Sequence, residues 1–293
     1  MPRAEGSRLA AVLALILGAC AIAFSPIFVR LTGTGPAAAG FWRLSLALPG
    51  LALLAAQDTR KAGRWRAPSA TTLAAGVFFA LDLGFWHYGV KLASVADATI
   101  LANLAPVWVT GGAWLLLRER PANLFLAGLL LAVAGAAVVG AAAGGGRCAD
   151  PSLGDALSAI SAFWYAGYLL IVRLARRSLS APEVMLWSSL TGAPLLLGFA
   201  ELQGEAITPP NLAGWLACAG LGAVHVFGQG AISWSLGRIP AAAASVIMLI
   251  QPALAALLAW LIFAEPMTGL EMEGAVLVLA GVALAQLAVV RRG

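Results

Sequence analysis

The sequence predicts an all-α, polytopic membrane protein: ten transmembrane helices arranged as two inverted five-helix repeats, N-in and C-in. Three observations carry this expectation. The first is composition. Of 293 residues, 61% are hydrophobic and only 11% charged, and the mean hydropathy is +0.91. A soluble domain carries about 25% charged residues, so this chain has too little charge to cover a water-facing surface. The second is run length. Ten apolar runs approach the roughly 20 helical residues that cross a hydrocarbon core about 30 Å thick. The third is an echo of the first half of the chain in the second. Alternating strand patterns are absent, so the spanning elements are helices rather than a barrel.

The predicted spans are 9–30, 36–57, 69–90, 95–117, 122–143, 153–173, 181–201, 212–236, 241–263 and 269–290. The first begins after Arg3 and Arg8. Its Leu17-Gly18-Ala19-Cys20 segment looks like a lipoprotein cleavage box, but the apolar run continues through Val29 and nine more follow. It therefore reads as an uncleaved first span. The connections are short. The most polar is Gln57–Pro68, with Arg60, Lys61, Arg64 and Arg66. A Gly-rich linker, 144–152, divides a first repeat (9–143) from a second (153–290). Cys20, Cys148 and Cys218 form no motif and imply no disulfide framework.

The net charge of +5 would suggest nucleic acid for a soluble protein. Here it orients the chain instead. With the N-terminus inside, 14 of the 18 Lys and Arg fall in inside segments, as the positive-inside rule demands. Arg30, Lys91 and Arg147 fall outside, and Arg43 lies within the second span. The outside loop 201–211 carries Glu201 and Glu205 and no base.

The echo appears at an offset of 146 residues: Pro106 falls on Pro252, Glu119 on Glu265, Gly128 on Gly274 and Gly135 on Gly281. Upstream, Pro49 and Pro194 differ by 145, a slip of one. Five spans per copy is an odd number, so the second copy enters the membrane from the opposite side. Two such halves rocking about a site near the midplane is a transporter design.

Two segments now carry a resemblance: ASVADATILANLAPVWVTGGAWLLLRER and IPAAAASVIMLIQPALAALLAWLIFAEP. Each closes a fourth span with Glu before a Gly-rich fifth. With two five-span halves of this size, the chain resembles the EamA-type exporters of the drug/metabolite transporter superfamily. Its aromatic-bearing spans look most like those of the exporters of aromatic and other neutral amino acids. The resemblance implies secondary transport of small metabolites across a bacterial inner membrane, without a cofactor.

Polar groups in lipid are costly, so each should face protein or a water-filled cavity. The third span holds Asp82, Trp86, His87 and Tyr88. Asp82 and Trp86 share a face. Asp82 reads as a proton site, as a partner for a substrate ammonium, or as a protonated packing residue. His87 reads as a substrate-contacting, proton-linked or packing group. The fourth span places Thr99, Asn103, Pro106 and Thr110 on one face, either a cavity wall or a helix–helix contact. Its mirror on the ninth span, Ser245, Leu249, Pro252 and Ala256, is more apolar, with Gln251 beside the proline. His225 and Gln229 share a face of the eighth span. Trp164 and Tyr168 do so in the sixth, and Trp108 and Trp234 add further aromatics. Such aromatics line a cavity, pack, or anchor at the interface. Arg43 is expected to snorkel to headgroups rather than bind a carboxylate. Glu119 and Glu265 read as helix-end caps.

The candidate substrate-contacting set is therefore Asp82, Trp86, His87, Tyr88, Thr99, Asn103, Trp108, Trp164, Tyr168, His225 and Gln229. Pro26, Pro106 and Pro252 are the expected hinges. No catalytic or metal site is expected. There is no P-loop, the two histidines lack metal-site spacing, and no GxSxG turn occurs. The expected partners are a small-molecule substrate and the lipid bilayer, with no nucleic acid, in a monomer or homodimer. Carriers of nucleotide sugars, phosphorylated compounds or drugs are the alternative class. Phosphate recognition needs several cavity cations, and Arg43 alone lies within a span. An intramembrane enzyme or a non-transporting lipid-handling protein is a further alternative.

Overall fold

Helix breaks of this protein fall next to Pro26, Pro49 and Pro106, where the backbone loses an N–H that must be compensated within lipid, whereas Pro194 lies inside the unbroken helix Ala181–Leu202. The computed structural model describes residues 2–62, 66–92, 101–102, 104–118, 120–142, 151–251, 254, 257–258, 261 and 269–290. Within them the chain is helical, and no strand occurs among the described residues. The first span is two helices, α1 (Pro2–Ile22) and α2 (Ser25–Leu31). They meet at a turn over Ala23 and Phe24, immediately before Pro26. Proline lacks the N–H that would continue the ladder. The turn compensates with a tighter bond, Phe24 N–H to Ala21 O at 3.2 Å.

The second span divides in the same way into α3 (Pro36–Ser45) and α4 (Leu48–Ala62), next to Pro49. Here the structure corrects one expectation. The first part of the predicted connection 57–68 is helical, because α4 runs on to Ala62. The third span is the unbroken α5 (Ala70–Leu92), and α6 (Ala105–Leu117) starts with Pro106 in its first turn. α7 (Asn123–Ala142) and α8 (Pro151–Ala175) follow. α9 (Ala181–Leu202) opens with a capping box. Ser180 N–H donates to Glu183 Oε2 at 2.8 Å, and the Ser180 hydroxyl accepts from Glu183 N–H.

The eighth span runs through α10 (Leu212–Val224), a π-helical turn (His225–Gln229) and α11 (Gly230–Leu236). α12 (Ala241–Ile247) ends in a turn at Met248 and Leu249, just ahead of Pro252, which itself lies outside the described residues. α13 (Gly269–Val290) closes the chain.

Among the described residues, five helical stretches are long and apolar enough to cross a membrane: Arg8–Leu31, Pro36–Arg60, Ser152–Ala175, Ala181–Leu202 and Leu212–Leu236. Shorter apolar helices cover Ala105–Leu116, Asn123–Gly135 and Met272–Ala285. The surface agrees. Leu115, Leu130 and Phe227 are 78%, 70% and 72% exposed, a belt that lipid covers and water would not tolerate. The interior is rich in small residues such as Ala11, Ala37, Ala38, Ala132 and Ala166, which let backbones approach where no hydrophobic drive separates helix from lipid. The chain is a multi-pass membrane protein.

Two sets of contacts tie the ends of the bundle. At one end the loop after α9 folds onto α3. Glu205 accepts from the N–H groups of Ala37 (3.3 Å) and Ala38 (2.9 Å) at the start of α3, where the helix dipole favours an anion. Tyr88 Oη donates to the same carboxylate, and Trp42 Nε1 donates to Ile207 O at 2.8 Å. At the other end, Arg173 Nη1 donates to Leu236 O at 2.6 Å and Arg176 Nε to Ser233 O at 3.0 Å. These arginines satisfy carbonyls that the end of α11 would leave bare.

Candidate functional site

The breaks converge on one place. A cavity of about 120 Å³ is lined by the α1–α2 turn (Ser25, Pro26), the start of α6 (Ala105, Pro106), the π-turn (Gln229) and the α12 end (Met248, Leu249, Gln251). Irregular backbone within a membrane is tolerated where it lines a cavity, and π-turns recur at functional sites.

The walls come from α5, α8 and α3. α5 supplies Phe79, Asp82 and Trp86, three and four residues apart and hence on one face. α8 supplies Ser161, Tyr165 and Leu169 at the same kind of spacing. α3 supplies Arg43. Asp82 is 8% exposed and Arg43 3%. Ser161 Oγ donates to Asp82 Oδ1 at 3.1 Å. The Arg43 guanidinium stands 5.6 Å above the Phe79 ring centre, a cation–π contact. Its Nε is buried without a hydrogen-bond partner, as are Ser25 Oγ, Gln229 Nε2 and Gln251 Nε2. An unmade buried hydrogen bond is expensive. Four such groups line this cavity, where water or a polar solute would complete them.

Asp82, Trp86 and Gln229 of the expected set line the cavity, as do Pro26 and Pro106. Thr99, Asn103 and Pro252, with Glu119 and Glu265, lie outside the described residues. The other candidates do not reach the wall, for identifiable reasons. His87 is 2% exposed, and its Nδ1 lies 2.7 Å from Pro36 O. A carbonyl only accepts, so Nδ1 carries the proton and the ring ties α5 to α3. Tyr88 points to Glu205 at the bundle end. Trp164 sits among Phe78, Phe85 and Phe163. Trp108 is 51% exposed and packs edge-on to Phe163 on the outer surface. Tyr168 and His225 form a second layer. Both stack on Phe79, at 4.5 and 5.4 Å between centroids, and His225 Nε2 shares a hydrogen bond with Ser189 Oγ at 2.9 Å.

Arg43 overturns its expected snorkelling. It faces the cavity and the Phe79 ring rather than headgroups. Ser25 and Ser161 line the cavity from outside the expected set, as does Tyr165, an aromatic neighbour of Trp164 and Tyr168. Ser25 stands beside a helix-breaking proline, and Ser161, Tyr165 and Leu169 follow a four-residue spacing, so both signals were present in the sequence. Among the described residues, no three His, Cys, Asp or Glu side chains cluster as metal ligands would.

A multi-pass helical bundle whose broken helices line a partly open, mostly apolar cavity with a few polar groups has the architecture of a membrane transporter. The chain belongs to the EamA-like transporter family, of the drug/metabolite superfamily, whose sequence profile matches residues 9–141 and again 152–287. It is 25% identical over 273 residues to an uncharacterized transporter of Archaeoglobus fulgidus, covering 93% of this chain and 94% of that one. A solved crystal structure superposes with a TM-score of 0.76 at 23% identity, covering 94% of this chain and 97% of the other, a likeness of fold.

Proposed function

We propose that the chain is a secondary carrier that exports amino acids, aromatic or other neutral ones, across a bacterial inner membrane by alternating access. The observation that carries this reading is the lining of the cavity. Phe79, Trp86 and Tyr165 offer apolar area, while Asp82, Arg43 and buried amide and hydroxyl groups offer a few fixed polar contacts. That combination suits a small solute with a polar head and an apolar body. The breaks at Pro26 and Pro106, and the turn before Pro252, supply hinges on three spans around the cavity. The two stretches matched by the family profile would be the two halves that rock, with four spans of each around the cavity and N-in, C-in orientation.

The rival class of nucleotide sugars and phosphorylated compounds fits less well. Arg43 is the one cation among the described lining residues, and phosphate recognition uses several. The test is counterflow and efflux of radiolabelled amino acids in proteoliposomes. Transport above empty vesicles for aromatic or neutral amino acids is expected. Transport of nucleotide sugars with none of amino acids would replace this reading by the rival.

A further inference from the structure

We infer that Arg43 and Asp82 act as a two-point clamp for the zwitterion of the substrate, Arg43 taking the α-carboxylate and Asp82 the α-ammonium. This rests on the amino-acid reading above and adds which end binds where. Both side chains line the same cavity, and both are more than nine-tenths buried. The two attract each other through space, but each keeps hydrogen-bonding capacity free for a ligand. Arg43 lies over a neutral ring with its Nε unpartnered, and the described partner of Asp82 is a neutral hydroxyl. Both charges are borne on α3 and α5, close around Phe79. Arg43 sits over that ring, and Asp82 follows it by three residues on the same helix, one turn along.

A buried charge is tolerated when it is paired and hydrogen-bonded. A zwitterion offers each of them a direct partner, a carboxylate for Arg43 and an ammonium for Asp82, and adds no net charge to the buried site. Ser25, Gln229 and Gln251, whose buried polar atoms lack partners, have donors to offer the same carboxylate. The aromatic walls are left for the side chain.

The charges are also confined to one half. At offset 146, Ser189 and Gly228 stand where Arg43 and Asp82 would recur; at offset 145, Ser188 and Phe227 do. The clamp therefore gives the substrate one orientation.

A singly charged analogue would leave one buried charge uncompensated. That costs on the order of 100-fold in affinity. The experiment uses the full chain in proteoliposomes with phenylalanine, phenethylamine and 3-phenylpropionate, and with alanine, ethylamine and propionate as the small neutral set. In the wild type, each amine and each carboxylate is expected to compete at least about 100-fold more weakly than its amino acid. Competition within threefold of the amino acid overturns the clamp and leaves the amino-acid reading standing.

Asp82→Asn is expected to lose the amino acid while gaining the carboxylate analogue. Arg43→Gln is expected to do the reverse and gain the amine. The gained substrate shows that each variant is folded. An Asp82→Asn or Arg43→Gln protein that keeps wild-type KM for the amino acid overturns the clamp. If neither variant transports, the wild-type competition decides. If no amino acid moves in the wild type, the clamp falls with the reading beneath it.

Discussion

Gly128 and Gly281 occupy each other's side-chain space. A Cβ on Gly128 would stand 2.7 Å from the Gly281 carbonyl oxygen, and a Cβ on Gly281 would stand 2.7 Å from the Gly128 oxygen. One turn pair further along, a Cβ on Gly135 would stand 2.7 Å from Gly274 O. The order of these contacts makes α7 and α13 antiparallel. The 146-residue offset also exchanges the two pairs, since Gly128 maps to Gly274 and Gly135 to Gly281. That exchange supports a two-fold relation between the halves. Such small-residue contacts let backbones meet and make Cα–H···O contacts.

Gly128→Leu and Gly281→Leu are therefore expected to force α7 and α13 apart. Overpacking of this kind costs about 1–3 kcal/mol, sometimes more. A fall of several degrees in the melting temperature of the detergent-solubilised protein checks it. A leucine at Gly198, where a Cβ meets nothing within 4 Å, is expected to be neutral.

Trp86 and Trp108 both belong to the expected substrate-contacting set, and the structure separates them. Trp86→Ala is expected to raise KM for an aromatic substrate about tenfold, the scale of a lost aromatic contact. Trp108→Ala should leave KM within about twofold. Uptake kinetics on the two variants decide, and equal effects would place the site elsewhere.

His225 packs between Phe79 and Ser189 without lining the cavity. His225→Ala is expected to destabilise the protein by about 3 kcal/mol, as loss of a buried ring does, with kcat and KM of the surviving folded protein changed little. A KM rise as large as that of Trp86→Ala would contradict the second-layer position.

Glu205 joins three donors from two helices, so Glu205→Gln is expected to weaken the α3–α9 connection by about 1.5–3 kcal/mol, the range for hydrogen bonds to a charged group. Tyr88→Phe should cost less. A double-mutant cycle on thermal stability should show coupling between the two, and strict additivity would deny the shared contact.

Arg176, beyond the end of α8, is held down to about 10 by burial first and by repulsion from Arg238 second, with Asp58 and Glu183 opposing. A base depressed in the native state loses stability as pH falls from its unfolded value towards its folded one, and the loss is complete below the latter. Both values lie above physiological pH, so the bonds from Arg176 to Ser233 O and Leu179 O should be insensitive to pH from 5 to 9. Arg176→Gln is expected to lower stability by a similar amount at both ends of that range. Thermal melts at pH 5 and pH 9 check this, and a penalty confined to one end would contradict it.

Pro49 and Pro194 are 145 residues apart, while Pro106 and Pro252 are 146 apart. Between Pro194 and Pro252 lies the π-turn His225–Gln229. A π-turn closes its hydrogen bond over one residue more than an α-turn, and the connection before it, from Leu202 to Leu212, also differs in length from the one between Ala62 and Ala70 in the first half. The slip was legible in the sequence, but where it is absorbed was not. The π-turn itself is where Gln229 reaches the cavity and His225 reaches Phe79.

By itself the sequence determined what depends on composition and local backbone chemistry. Low charge and long apolar runs made it a multi-pass helical membrane protein. Pro26, Pro106, Gly128 and Gly135 marked breaks and close contacts, because a missing N–H or a missing side chain is local chemistry, although Pro194 is carried inside an unbroken helix. Which face of each helix looks inward was decided only by the tertiary structure. In lipid the outside of a helix is as apolar as its inside, so hydrophobic periodicity no longer points to the core. One residue of helix turns a side chain by about 100°, enough to separate Trp86 on the wall from His87 behind it. Arg43 is the sharpest case. From its position in the span it could reach headgroups or turn inward. The placement of Phe79 beneath it and of the cavity beside it fixes the second.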